Sequence, residues 1–252
     1  MLFYVLAAVA AIGVVLVAAR LMRGTPDPHP DGPAAGHSGA MLAALFLLAF
    51  AIAVVVPWST NDAARQNTQD EGRAVAEAYW TAARLPSPAR ERVQADLRRY
   101  VDLVRGGEWR LMAEGRLSAE GWAYLERVRR EIAAAPAADD DAREVRSAAL
   151  ERIREVSAAR RQRAVDAATT PPPGLLAITV LTGLAVVFFP FLAGARPRGA
   201  ALVPLATMAA LLAVGLYLVF DISRVFTGAL AVEPDAFDNV AAELRRVPAA
   251  GG

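Results

Sequence analysis

The chain has 252 residues, 55% hydrophobic and 21% charged, with a formal net charge of +1 and no cysteine. A disulfide scaffold and a cysteine nucleophile are thereby excluded, and the balance of charge lacks the positive surplus that a nucleic-acid-binding face needs. All 27 basic residues are arginine, which reads as genome composition bias and not as a phosphate-binding device.

The average hides two populations. Four stretches, 2–19, 41–58, 175–195 and 201–220, are almost free of charge. Each holds about 18 to 21 residues, enough at about 1.5 Å per residue to cross a hydrocarbon core of about 30 Å. The first lacks a basic leader, and Arg20 and Arg23 follow it where a cleavable signal would place small residues. It therefore reads as a retained helix. The expected fold is an all-α integral membrane protein with four transmembrane helices and a soluble helical insert. Its parts are a transmembrane hairpin over 1–58, a charged helical domain over 59–173, a second hairpin over 174–220 and a tail over 221–252 with a short helix.

Residues 24–40, GTPDPHPDGPAAGHSGA, read as a solvated loop between the first two spans. The only two histidines, His29 and His37, lie there with Asp27 and Asp31. Further ligands at fixed spacing and a supporting shell are missing, so no metal site is expected.

Residues 60–170 carry 20 arginines and 19 acidic residues and show helical periodicity. Val75, Tyr79, Ala82 and Leu85 form an apolar stripe on a helix leaving the second span. Val93, Leu97, Tyr100, Val101 and Val104 form the next, and Gly106-Gly107 is expected to stop that helix. Trp122, Leu125, Val128 and Ile132 mark a third, with Ser118 as N-cap, Gly121 where a capping box would have Glu, and Pro136 as the end. Asp139-Asp140-Asp141 open a fourth, favourably placed against its dipole, with Val145, Ala149, Ile153 and Val156 facing in. Acids and arginines alternate along these helices, as in EVRSAALERIREV, a pattern of solvated pairs three and four residues apart. Pro171-Pro172-Pro173 separate this region from the third span. No strand signal or fixed-period repeat occurs.

Motifs of metalloproteases, serine hydrolases, phosphate loops and dinucleotide folds are absent, so no enzyme and no cofactor is expected. The spans carry no internal charge, which argues against a coupled transporter with a charged relay. An oligomeric pore with an apolar neck needs no such charge. In the second span Phe46, Phe50 and Val54 fall on one stripe, followed by Pro57 and the polar run Ser59, Thr60 and Asn61: candidate pore-lining residues. Thr179 and Gly183 in the third span have a spacing that admits a close helix, and Pro190 is placed to kink it. Both ends of the insert lie on one side of the bilayer. Eight arginines near span ends on that side (Arg65, Arg73, Arg160, Arg161, Arg163, Arg224, Arg245 and Arg246) outnumber four on the other, which favours a cytoplasmic insert.

The chain leaves its last span through FDISRVFTGALAVEPDAF. Gly228 fits a left-handed helix end, and Pro234 the first turn of a short surface helix. Asp221, Phe226, Gly228, Pro234 and Phe237 together resemble the closing motif of the bestrophin-like domain family, membrane proteins of bacteria and plants whose domain has no assigned function. Many members read Asp-Arg-Pro-Phe where this chain runs from Asp221 to Phe226 through Ile222-Ser223-Arg224-Val225. The resemblance covers residues 40–245 and implies two spans, a helical insert and two further spans, in the cell membrane of a bacterium. Bestrophins proper are oligomeric, mostly pentameric, anion channels with a neck from the second span. The likeness therefore implies a homo-oligomer that passes small ions, with lipid as its other partner and no nucleic acid. The motif reads first as a structural latch. The competing reading is a non-conducting membrane protein whose helical domain senses a signal or docks a partner.

Overall fold

The computed structural model describes residues 2–21, 33–170, 173–194 and 199–246. They form helices and turns, with no β-strand among them. The chain divides into two compact units, Met1–Ser59 with Thr170–Ser223, and Thr60–Thr169 with Arg224–Gly252.

The first unit holds α1 (Leu2–Leu21), the first half of α2 (Pro33–Ala82), α7 (Pro173–Leu192) and α8 (Leu202–Ile222), the last entered by a 3₁₀ turn over Gly199–Ala201. Among the described residues three helices are long and apolar enough to cross a bilayer: Gly39–Ala82, Gly174–Leu192 and Leu202–Ile222. Helix α1 is 20 residues long, carries Arg20 in its last turn and packs against α8 and α7. The loop expected over 24–40 is shorter than its composition implied, because α2 begins at Pro33; residues 24–32, with His29, lie outside the described residues. Proline at a first helical position loses no hydrogen bond, which is why it can open the helix there.

Helices in lipid gain little from burying one apolar surface against another, so close approach decides their packing. Aromatic rings on glycines provide it here. The Phe46 and Phe50 rings stack at 5.6 Å. A Cβ at Gly183 of α7 would lie 3.3 Å from the Phe46 ring, and one at Gly215 of α8 would lie 2.9 Å from the Phe50 ring. Val187, Phe191 and Ala209 close the contact between α7 and α8. The span hydroxyls turn back on their own helices: Thr179 donates to the Leu175 carbonyl at 2.8 Å, Thr182 to Ile178 at 2.8 Å and Thr207 to Val203 at 2.9 Å. None of them is left unsatisfied in hydrocarbon, where that would cost several kcal/mol. Pro190 does not end α7, which continues to Leu192.

The second unit is a helical bundle: the second half of α2, α3 (Ala89–Leu103), a π turn (Val104–Glu108), α4 (Trp109–Met112), α5 (Ala119–Ala134), α6 (Asp140–Ala168) and α9 (Asp235–Arg246). The stripes read from the sequence meet in one core. Val75, Tyr79, Ala82, Leu85, Val93, Leu97, Tyr100, Val101, Val104, Leu125, Val128, Ile132, Ala149, Ile153 and Val156 are all buried in it, with Trp122 and Val145 packed at its edge. The Ser118 hydroxyl caps α5 by accepting the Glu120 N–H at 3.1 Å, and Ala135 is extended ahead of Pro136. Asp139 caps α6 by accepting the Ala142 N–H at 2.7 Å.

Two expectations are corrected here. Gly106-Gly107 do not stop the helix: the backbone widens into a π turn and continues to Met112. Both glycines face open space, while Val104, Glu108 and Met112 are anchored inside. That anchoring outweighs a propensity cost of about 1 kcal/mol per glycine. The tail helix is not a surface helix. Helix α9 buries Phe237, Val240, Ala241 and Leu244 in the same core as the insert, so the tail beyond Arg224 belongs to the helical unit. Phe237 is fully buried. Phe237→Ala is expected to lower the unfolding free energy of this unit by about 3–5 kcal/mol, read by urea denaturation in detergent followed through tryptophan fluorescence.

Candidate functional site: a buried charge network

Four ionised side chains sit inside the helical unit with no exposure: Glu71 from α2, Glu108 from the π turn, and Arg160 and Arg163 one turn apart on α6. Isolated, any of them would cost several kcal/mol to bury, so each must be paired in good geometry. Arg160 grips Glu108 with both terminal nitrogens, Nη1 to Oε1 at 2.7 Å and Nη2 to Oε2 at 2.6 Å. Arg163 reaches Glu71 through Nε at 2.5 Å and Nη2 at 3.0 Å, and the same Nη2 donates to Glu108 Oε1 at 2.9 Å. Glu108 is thus shared by both guanidiniums. Two carboxylates and two guanidiniums sum to zero charge.

Most of the remaining hydrogen-bonding capacity is met locally. The Tyr100 hydroxyl donates to Glu71 and accepts from Arg160 Nη1 at 3.2 Å. The Ser118 N–H donates to Glu108 Oε2 at 3.0 Å, and the Ser118 carbonyl accepts from Arg160 Nη2 at 2.8 Å. Arg163 Nη1 contacts the Met112 sulfur at 2.9 Å. The Trp122 ring lies 5.0 Å from the Arg160 guanidinium carbon, and the Phe237 ring 5.4 Å from that of Arg163. Arg160 Nε donates to no acceptor among the described residues. Next to the network, Asp166 accepts from Asn67 at 2.9 Å and from Gln162 at 3.0 Å.

Burial alone would raise the Glu108 carboxyl, but hydrogen bonds from Arg160 and the charge of Arg163 outweigh it and hold it below the usual carboxylate range. Burial, then the Glu71 charge, pushes the Tyr100 phenol well above its ordinary value. Burial works against both guanidinium charges, and their carboxylate partners more than offset it, so both pKa values rise. Glu108 and both guanidiniums are thus held in their charged forms by one another.

The sequence carried a signal for this network. Arg160 and Arg163 continue the Ala149, Ile153, Val156 stripe in phase, Glu108 continues Leu97, Val101, Val104, and Glu71 lies one turn before Val75. Reading every charge on these helices as solvated missed them. The reading holds for exposed pairs such as Arg152 with Glu155 and Arg154 with Glu151. Gly121 is explained by the same cluster: a Cβ there would lie 2.2 Å from Arg160 Nη2 and 2.5 Å from its guanidinium carbon. No side chain fits, so the capping-box glutamate cannot be present.

The closing motif splits. Asp221 lies in the last turn of α8. Phe226 is buried among Ala64, Met112, Val225 and Val232 and meets the Trp109 ring edge-on at 5.6 Å. Gly228 has φ +102°, as its left-handed role requires, and the Val232 N–H returns to the Val225 carbonyl at 2.8 Å. The Pro234 carbonyl accepts the Phe237 N–H at 2.9 Å, starting α9. Four of the five motif residues, from Phe226 to Phe237, therefore serve the helical unit. The second-span candidates divide as well. Phe46 is buried, with its ring on Gly183 of α7; Phe50 is half-buried, with its ring on Gly215 of α8, and Val54 is half-buried too. Ser59 is exposed and returns its hydroxyl to the Val56 carbonyl at 2.9 Å; Thr60 and Asn61 are half-buried. The free face of α2 carries Leu45, Leu48, Ile52 and Val55 instead. Among the described residues no group of histidines and acids is placed to hold a metal.

Glu108→Gln leaves two guanidiniums facing one carboxylate and is expected to cost about 3–5 kcal/mol of unfolding free energy. Gly121→Ala is expected to act in the same direction by dislodging Arg160. Because the Glu108 pKa is depressed in the fold, its contribution is complete above the ordinary carboxylate pKa of about 4.3 and is lost as pH falls through the lower folded value. Acid unfolding followed by circular dichroism should accordingly show a shallower pH dependence in Glu108→Gln than in the wild type.

A family model for the bestrophin-like domain matches residues 4–237, beginning within α1 and ending on Phe237. No curated protein matches the chain. The match takes in both apolar pairs, the whole helical insert and the closing motif through its last residue, and the chain belongs to the bestrophin-like domain family.

Proposed function

We propose that the chain is one subunit of a homo-oligomeric channel, possessing four spans with α1 as the first, that passes small ions, anions foremost, across the cell membrane. The helical unit lies on the cytoplasmic side, and the copies surround a shared axis as in pentameric bestrophins. The observation that carries this reading is the charge-free length of α2: from Ser38 to Asn61 it bears no acid or base, and the same helix then runs without interruption into the helical unit. A long uncharged wall suits a pore that gates by dewetting and gives a coupled pump no relay. In this arrangement Phe46 and Phe50 act from behind the wall, holding α2 to α7 and α8, and Val54, Ser59, Thr60 and Asn61 lead to the mouth. The closing motif secures the tail, and no enzymatic step is involved.

The packing of Phe46 and Phe50 inside the subunit favours a second reading, a non-conducting membrane protein whose helical unit senses a signal or docks a partner. Reconstitution into planar bilayers under a salt gradient separates the two. The channel reading predicts unitary currents reversing toward the anion potential, with open probability altered in Phe50→Ala. A verified oligomer silent at every voltage and pH overturns it.

A further inference from the structure

Along the contact between α2 and α6 the chemistry changes once. At one end it is apolar, with Val75, Ala78, Tyr79 and Ala82 of α2 in the same core as Ala149, Ile153 and Val156 of α6. At the other it is polar: Glu71 with Arg163, then Asn67 with Asp166. The two helices run antiparallel, so the polar end is where α2 enters the helical unit, at Thr60, and where α6 leaves it, at Thr169. The tail enters at Arg224 and packs Val225, Phe226 and Val232 on Ala64 and Met112, residues of α2 and α4 at that same end. All three chain crossings of the unit therefore gather beside the buried charges.

Apolar contacts tolerate sliding, because neighbouring positions are nearly equivalent. Buried bidentate ion pairs do not: a shift of about 1 Å breaks them and strands a charge without water. A fully buried network of this kind has two states, made or broken, and no elastic middle.

We infer that the layer formed by Glu71, Glu108, Arg160 and Arg163 is a conformational lock that fixes α2 against α6 at the end of the helical unit where the chain crosses to its apolar helices. The distal, apolar end holds the unit folded; the charged end sets the angle at which α2 and α6 emerge. Glu108, shared between the two arginines, ties the lock to the π turn, and Phe237 beneath Arg163 ties it to α9. The lock is independent of the conduction reading, since it concerns the geometry of the helical unit alone.

Spin labels test it in the full chain. The sequence has no cysteine, so introduced thiols are the only attachment points. One pair, Arg65→Cys with Val165→Cys, reports the charged end; a second, Glu77→Cys with Ser147→Cys, reports the apolar end. In the Glu71→Gln background the proximal distance distribution is expected to widen about twofold while the distal one keeps its wild-type width, as for a local opening. Arg163→Lys, which retains the charge but loses the fork, serves as a milder variant with the same expectation. Unchanged widths at both ends overturn the lock. So does equal widening at both ends, or failure of both variants to fold, each of which makes the layer a support for the whole unit.

Discussion

A carboxylate shared between two buried guanidiniums organises the helical unit. Glu108 accepts from Arg160, Arg163 and the Ser118 N–H at once, and through the arginines it meets Glu71 and Tyr100. Helices α2, α3, α5 and α6 and the π turn all contribute a partner. An apolar core of the same volume would match or exceed its stability, since desolvation consumes most of what the ion pairs return. What charges add is discrimination: a leucine fits many neighbours, whereas a fork of two N–H groups fits one carboxylate at one register.

Other oddities of the sequence become consequences of this centre. Gly121 is small because the Arg160 guanidinium occupies the place of its side chain. Trp122 and Phe237 are aromatic where flat faces cover the cations. The diglycine lies on the outer wall of a turn whose inner wall is Val104 and Glu108. In the apolar unit glycine plays the complementary part, giving aromatic rings room to seat at Gly183 and Gly215.

Much of the architecture was legible in the residues, and the boundary of legibility is physical. Stripes with a 3.6-residue period predicted the core of the helical unit because burial of apolar surface is local in its demands, and the cap at Ser118 follows from a hydrogen bond two residues along the chain. The family could be recognised from its closing motif. What escaped was whatever depends on a partner distant in sequence. Glu71 and Arg163 are 92 positions apart, and each alone looks like one more surface charge among many. The same limit hid the role of α9, whose amphipathic face signals that it packs without saying on what. It also hid the inward orientation of Phe46 and Phe50, since a lipid-facing, a pore-facing and a helix-facing phenylalanine are written identically.

The origin of α9 has a consequence for biogenesis. Phe237, Val240, Ala241 and Leu244 fill a core whose other walls are complete by residue 168, yet between the two lies the whole second apolar pair. A ribosome must therefore finish both later apolar helices before the last wall of the bundle exists. Until then the nascent bundle keeps a greasy groove open to solvent, and translation order makes synthesis of α7 and α8 a precondition for closing it.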